Sequence, residues 1–131
     1  MPNVRPPLIL IAADDQAVCE ALQFALRLEG LSVRTHRAAA ALLMDPDLPA
    51  ADCVILDDCK PYMDGFAMLN QLRARAMRMP VILLTSQASG RLRVHAINDG
   101  VRIVLEKPLL DNALVDSIHT ILSGVGGTGH L

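Results

Sequence analysis

Five short apolar runs recur along the chain, at 8–13, 31–35, 53–56, 81–85 and 102–105. Each has the length of a strand, and four are strongly enriched in Val, Ile or Leu. Apolar residues on consecutive positions suit strands buried on both faces, as in a parallel sheet. Between the runs, apolar positions fall at helical spacing. Val18, Ala21, Leu22, Ala25 and Leu28 repeat at three and four, and Gly30 supplies a stop. Phe66, Leu69 and Leu72 do the same, with Arg73, Arg75 and Arg78 toward the end where a helix dipole favours cations. Leu114, Ile118, Ile121 and Leu122 mark a last helix, with Asp111 or Asn112 as its N-cap. Two segments carry weaker helical patterns: 38–44 is short, and 89–99 has few apolar positions and contains Gly90. Strand and helix therefore alternate five times. That predicts an α/β fold, a doubly wound (βα)5 sandwich with a five-stranded parallel sheet in the order 2-1-3-4-5. Residues 1–123 form the predicted domain, and the Gly-rich stretch 124–131 reads as a tail or linker stub.

Composition narrows what such a domain could bind. The chain has 131 residues, enough for one core and too few for two. Apolar residues make up 52% of it, yet the aromatics are only Phe24, Tyr62 and Phe66. The core is therefore expected to be aliphatic, and stacking of bases on aromatic platforms is disfavoured. A formal net charge of −2 argues against a general phosphate-backbone binder. Cys19, Cys53 and Cys59 form no C-x-x-C pair and read as free thiols in a reducing compartment. The N-terminal pattern is neither that of a signal peptide nor that of a membrane span, so a cytoplasmic location is expected. The cations are lopsided, ten Arg against two Lys, and both Lys60 and Lys107 precede a proline.

In an open α/β sheet, function sits beyond the carboxyl ends of the strands at the topological switch point. Asp14 and Asp15 follow the first run, Asp57 and Asp58 the third, Thr85 and Ser86 close the fourth, and Glu106, Lys107 and Pro108 follow the fifth. In the predicted order the first and third strands are neighbours, so their carboxylates converge. Crowded carboxylates repel, and a hard divalent cation relieves the repulsion. Magnesium takes one or two carboxylates and keeps waters and a phosphate oxygen in its shell. Thr85 can donate to a phosphoryl oxygen, and Lys107 offers a compact charge to the same oxygens. A carboxylate nucleophile, a metal, a hydroxyl and a cation together make a phosphoryl-transfer site.

These residues resemble the response-regulator receiver domain of bacterial two-component signalling, a flavodoxin-like, CheY-like fold. The matching elements are Asp14-Asp15, the stretch from Leu56-Asp57-Asp58 to Asp64-Gly65, Thr85-Ser86 and Lys107-Pro108, in the family's order over about residues 7 to 123. The resemblance implies that Asp57 is the phosphoacceptor, charged by a sensor histidine kinase or phosphotransfer protein. It implies Mg²⁺ held directly by Asp15, through water by Asp14, by Asp57 itself and by the backbone carbonyl of Cys59. Thr85 and Lys107 would contact the phosphoryl group, and Asp64-Gly65 would turn the chain into the third helix. Such a domain is a switch that gains and loses its own phosphoryl group, not an enzyme acting on outside substrates. Its output is protein contact, through a downstream partner, an output domain or a homodimer built on the fourth helix, fifth strand and fifth helix, with no direct nucleic-acid or membrane binding.

The sequence departs from the family's pattern at three positions. Val104 stands where a Tyr or Phe usually serves as the signalling ring, Asp58 where an apolar residue usually follows the acceptor, and Lys60 where Met or Leu usually precedes the proline. These departures leave open a receiver-like protein-binding module that ignores phosphorylation. A phosphatase-like enzyme with an aspartyl nucleophile is a third reading, but it would want a second acid where Cys59 stands. The plainer readings are also explicit. Asp14 and Asp15 could cap the helix after them, Asp58 reads as a solvated neighbour, and Asp64 as a turn or cap residue. Lys60 could pair with Asp58 or Asp64, an exposed pair worth about 0–1 kcal/mol. Cys19 and Cys53 read as core cysteines, Cys59 as a loop thiol, and Arg91 and Arg93 as a solvated helix face. The four histidines show no metal-ligand spacing.

Overall fold

The computed structural model describes residues 5–59, 63–109 and 112–124. Eleven elements follow in chain order: β1 (Leu8–Ala12), α1 (Gln16–Leu28), β2 (Ser32–His36), α2 (Ala39–Leu43), a 3-10 turn (Leu48–Ala50), β3 (Cys53–Asp58), α3 (Gly65–Ala74), β4 (Val81–Thr85), α4 (Gly90–Asn98), β5 (Ile103–Glu106) and α5 (Ala113–Ser123). All strand pairs are parallel and the sheet order is β2-β1-β3-β4-β5, as the alternation predicts.

The three inner strands carry the consecutive apolar runs, and β3 and β4 are buried at every residue. Side chains alternate across the sheet and build one core on each face. Leu10, Val54, Leu56 and Leu83 pack toward α2, α3 and α4 with Leu42, Met68, Leu69, Leu72 and Ala96. Ile9, Ile11, Ile55 and Leu84 pack toward α1 and α5 with Leu22, Leu26, Leu114 and Ile118. No aromatic side chain is buried among the described residues, so the core is aliphatic as composition requires.

Edges and caps explain where the pattern and the structure part. β2 is an edge strand, exposed at Ser32 and Arg34 and buried at Val33. β3 runs two residues past its apolar stretch because its ladder with β4 continues, pairing Asp57 with Leu84 and Asp58 with Thr85. α1 closes on Gly30, whose φ of +82° only glycine adopts without strain. The weakly patterned segment forms α4, with the Ser89 hydroxyl accepting from Leu92 N–H at 3.1 Å. Asn112 stands at the N-cap position of α5 without a side-chain hydrogen bond, while Asp111 lies outside the described residues. The tail was expected from residue 124. Gly124 caps α5, and positions 125–131 lie outside the described residues.

Arginines tie the elements together. The Arg73 guanidinium, at the end of α3, donates to the carbonyls of Met77 at 2.8 Å and Gly100 at 3.0 Å, locking the approaches to β4 and β5. Arg34 donates two hydrogen bonds to the buried Asp45 carboxylate, at 2.9 and 2.6 Å, and His36 Nε2 lies 2.8 Å from it. Burial pushes the Asp45 pKa up, but Arg34, the Asp47 N–H and His36 outweigh it and hold the group down at about 2. A depressed carboxylate stabilises the fold above its unfolded pKa, near 3.8, and loses that contribution as pH falls toward 2. Acid titration should therefore weaken the wild type by about 1–2 kcal/mol more than Asp45→Asn across that window. Denaturant unfolding at a series of acid pH values measures it, and parallel curves would remove Asp45 from the account.

Candidate functional site: an acidic pocket at the carboxyl ends of the strands

Asp57 is the penultimate residue of β3 and is 1% exposed. A carboxylate at that depth needs a partner. Lys107, fifty residues later and just past β5, supplies it: Nζ donates to Asp57 Oδ1 at 2.6 Å. The lysine side chain is 22% exposed, so its charge reaches the pocket mouth while the acid stays inside. The Lys107 N–H also donates to the Thr85 carbonyl at 2.8 Å, extending the β4–β5 ladder one step. The Lys107–Pro108 peptide bond is cis.

The β1 register aligns Ala12 with Leu56, so continuing both chains sets Asp14 and Asp15 at the end of the sheet where Asp57 and Asp58 stand. Asp14 is half-buried. Asp15 is exposed and is the N-cap of α1, accepting from Ala17 N–H at 2.8 Å and Val18 N–H at 3.4 Å. The capping role weighed from sequence is thus observed, and it engages one carboxylate oxygen of Asp15. Thr85 is 3% exposed at the end of β4, and its hydroxyl oxygen accepts from Gln87 N–H at 3.2 Å. That leaves the hydroxyl proton available to a further acceptor.

Asp58 corrects an expectation. It is 9% exposed, not a solvated neighbour, because β3 continues through it and alternation turns it toward the α3 face. Its Oδ1 accepts from Gly65 N–H at 3.0 Å. A Cβ at residue 65 would come within 2.7 Å of Leu83 Cδ1 and 3.2 Å of Asp58 Cβ, so only glycine lets α3 start this close to the strand end. Asp64 is the N-cap of α3, accepting from Ala67 N–H at 3.0 Å, as the turn reading required. Cys59 and Met63 exchange two backbone hydrogen bonds of 2.8 Å that close the loop after β3. The Cys59 carbonyl thus accepts once and keeps a second lone pair. Lys60 and Tyr62, singled out from the sequence, lie outside the described residues.

Two features had no signal in the sequence. Arg93 does not simply face solvent: Nη1 donates to the carbonyl of Val104 at 3.2 Å, bridging α4 to β5. The Phe66 and His95 rings, 4.6 Å apart, bridge α3 to α4. Val104 itself is 8% exposed.

Metal binding is tested by the donors present. Among the described residues, no group of three or more His, Cys, Asp or Glu stands together as a metal site. Magnesium needs none, since it binds through one or two carboxylates and retains water. Carboxylates and a backbone carbonyl are the hard oxygens it prefers, so the donor chemistry fits.

The family model for the response regulator receiver domain matches residues 9–119. The chain belongs to this family. It is 36% identical over 123 residues to the transcriptional regulatory protein FixJ of Azorhizobium caulinodans, covering 93% of this chain and 57% of FixJ. It is 31% identical over 126 residues to the transcriptional regulatory protein PrrA of Mycobacterium leprae, covering 96% of this chain and 54% of PrrA. The receiver thus spans a little over half the length of these curated relatives. The solved response regulator StyR is similar at 30% identity and a TM-score of 0.80, over 91% of this chain and 60% of that one. The signal receiver domain of a Luxo repressor protein described as putative, from Vibrio parahaemolyticus, shares the fold at a TM-score of 0.84 and 21% identity, over 96% and 100%. The flavodoxin-like, CheY-like architecture and the place in two-component signalling therefore hold. Receiver domains generally bind Mg²⁺ in an acidic pocket and interact with histidine kinases and output domains. Among the described residues, no helix is long and apolar enough to cross a membrane.

Proposed function

We propose that this receiver takes a phosphoryl group on Asp57 from a histidine kinase or phosphotransfer protein and uses the acyl phosphate as a cytoplasmic switch. The observation that carries the reading is the 2.6 Å ion pair between Lys107 and Asp57, a nearly inaccessible carboxylate at the end of the sheet that also carries Asp14 and Asp15. An Asp57 oxygen attacks phosphorus in line, a P–O bond forms, the P–N bond of the donor phosphohistidine breaks, and the imidazole leaves. Lys107 and the Thr85 hydroxyl receive the phosphoryl oxygens. Asp15 directly, Asp14 through water, Asp57 and the Cys59 carbonyl would hold Mg²⁺, which supplies charge neutralisation on the transferring group. Water later hydrolyses the acyl phosphate and resets the domain, so it turns over its own modification and no outside substrate.

Output runs through protein contact at α4, β5 and α5, by an output domain, a downstream partner or a second copy of the chain. Val104 offers no ring to swing between buried and exposed positions. Besides the core packing of Ala96, α4 is tied down by the Arg93 bond to the Val104 carbonyl and by the Phe66–His95 pair. The absent ring also favours one rival, a binding module indifferent to phosphorylation. Incubating the chain with a small phosphodonor, with Mg²⁺ or with a chelator, and measuring intact mass separates them. The switch gains one phosphoryl group only when Mg²⁺ is present. No adduct with any donor would leave the module.

A further inference from the structure

The loop bearing Asp14 and Asp15 joins β1 to α1, and its outer side is gripped by a residue from the β2–α2 connection. Arg37 Nε donates to the Asp14 backbone carbonyl at 3.0 Å, and Arg37 Nη1 donates to Gln16 Oε1 at 3.0 Å. One guanidinium therefore holds the residue before Asp15 and the residue after it. The grip has a fixed base. The Ala13 N–H donates to the His36 carbonyl at 3.0 Å, and the His36 ring is anchored on the other side by the buried Asp45 carboxylate. Gln16 is braced in turn, its Nε2 donating to Glu20 Oε2 at 2.9 Å along α1.

We infer that Arg37 is a positioning residue for the acidic pocket: its fork sets the path of the β1–α1 loop and so the direction in which Asp14 and Asp15 present their carboxylates to Mg²⁺. The inference rests on the metal-binding role proposed above. Charge alone would make Arg37 a poor choice beside a cation site, since a positive side chain repels Mg²⁺. Its geometry offers what a carboxylate loop needs, two planar donors aimed at two acceptors that flank Asp15. Lysine carries the same charge on a single point and cannot span both acceptors. Fork and charge therefore predict opposite results.

The test is a Mg²⁺ titration of the full chain with no phosphodonor, followed by the backbone amide resonances of Gln16 and Ala17. Arg37→Ala and Arg37→Lys are both expected to weaken Mg²⁺ binding, by about three- to tenfold, the worth of one or two lost hydrogen bonds. The rest of the amide spectrum should stay superimposable on the wild type, which excludes a general loss of fold. In phosphodonor assays both variants should need more Mg²⁺ for half-maximal rate while reaching a maximal rate within about twofold of wild type. Wild-type affinity in Arg37→Lys would show that charge and not the fork matters, and tighter binding in Arg37→Ala would show simple repulsion. Either result overturns the inference. If the wild type itself binds no Mg²⁺, the proposed function fails first, and the two failures are thereby distinguishable.

Discussion

Asp57→Asn is expected to abolish phosphoryl uptake, with a rate loss of about a thousandfold or more. An amide keeps the shape of the carboxylate but has no anionic oxygen to attack phosphorus. The neighbouring acids do not replace it. Asp58 is buried with its Oδ1 committed to Gly65 N–H, and Asp15 has one oxygen committed to the α1 cap. Neither is bonded to Lys107, whereas Asp57 is. The fold should survive the change. Lys107 is 22% exposed and can turn its ammonium to water, so the lost ion pair costs about 1–2 kcal/mol, well below the cost of stranding a fully buried charge. Intact mass after phosphodonor treatment reads the first effect, and denaturant unfolding reads the second. A full adduct on the Asn variant would move the acceptor to another acid.

How much of this could be read beforehand follows from the physics of each signal. Burial on both faces leaves consecutive apolar residues, so β1, β3 and β4 are legible as strands, while the sheet order follows from the fivefold strand–helix alternation. β3 stopped too early on that criterion, because Asp57 and Asp58 break the apolar run while the backbone ladder carries on. The same break made Asp58 look solvated, although the pleat turns it inward to Gly65. Asp64 and Ser89 were legible as cap positions or helix limits because capping is local in sequence. Arg37, Arg93 and the Arg34–Asp45–His36 cluster were not. Their partners lie 9 to 23 residues away and are met only through the path of the connecting loops, which no periodicity encodes. The acidic pocket was readable because its residues sit at strand ends, where topology dictates position. What braces the pocket was unreadable because it sits in the connections.

Lys107→Ala gives the second large effect, and it differs in kind. On the proposed function, the ammonium 2.6 Å from Asp57 Oδ1 is a preorganised charge where the incoming phosphoryl oxygens would gather, beside an acceptor that is itself almost inaccessible. Removing one such donor typically slows a charge-developing step by about 100- to 1,000-fold. The nucleophile remains, so uptake on prolonged incubation should still approach one phosphoryl group per chain, which Asp57→Asn never reaches. The requirement for Mg²⁺ should persist, since the proposed oxygen ligands are untouched. Lys107→Arg should recover little of the rate. A planar fork is larger than an ammonium and aims its donors differently, and the carboxylate it would have to reach is buried at the end of β3. Time courses of intact mass for the three variants separate these outcomes. A Lys107→Ala rate within about threefold of wild type would show that the ion pair holds the resting structure together but contributes nothing to transfer.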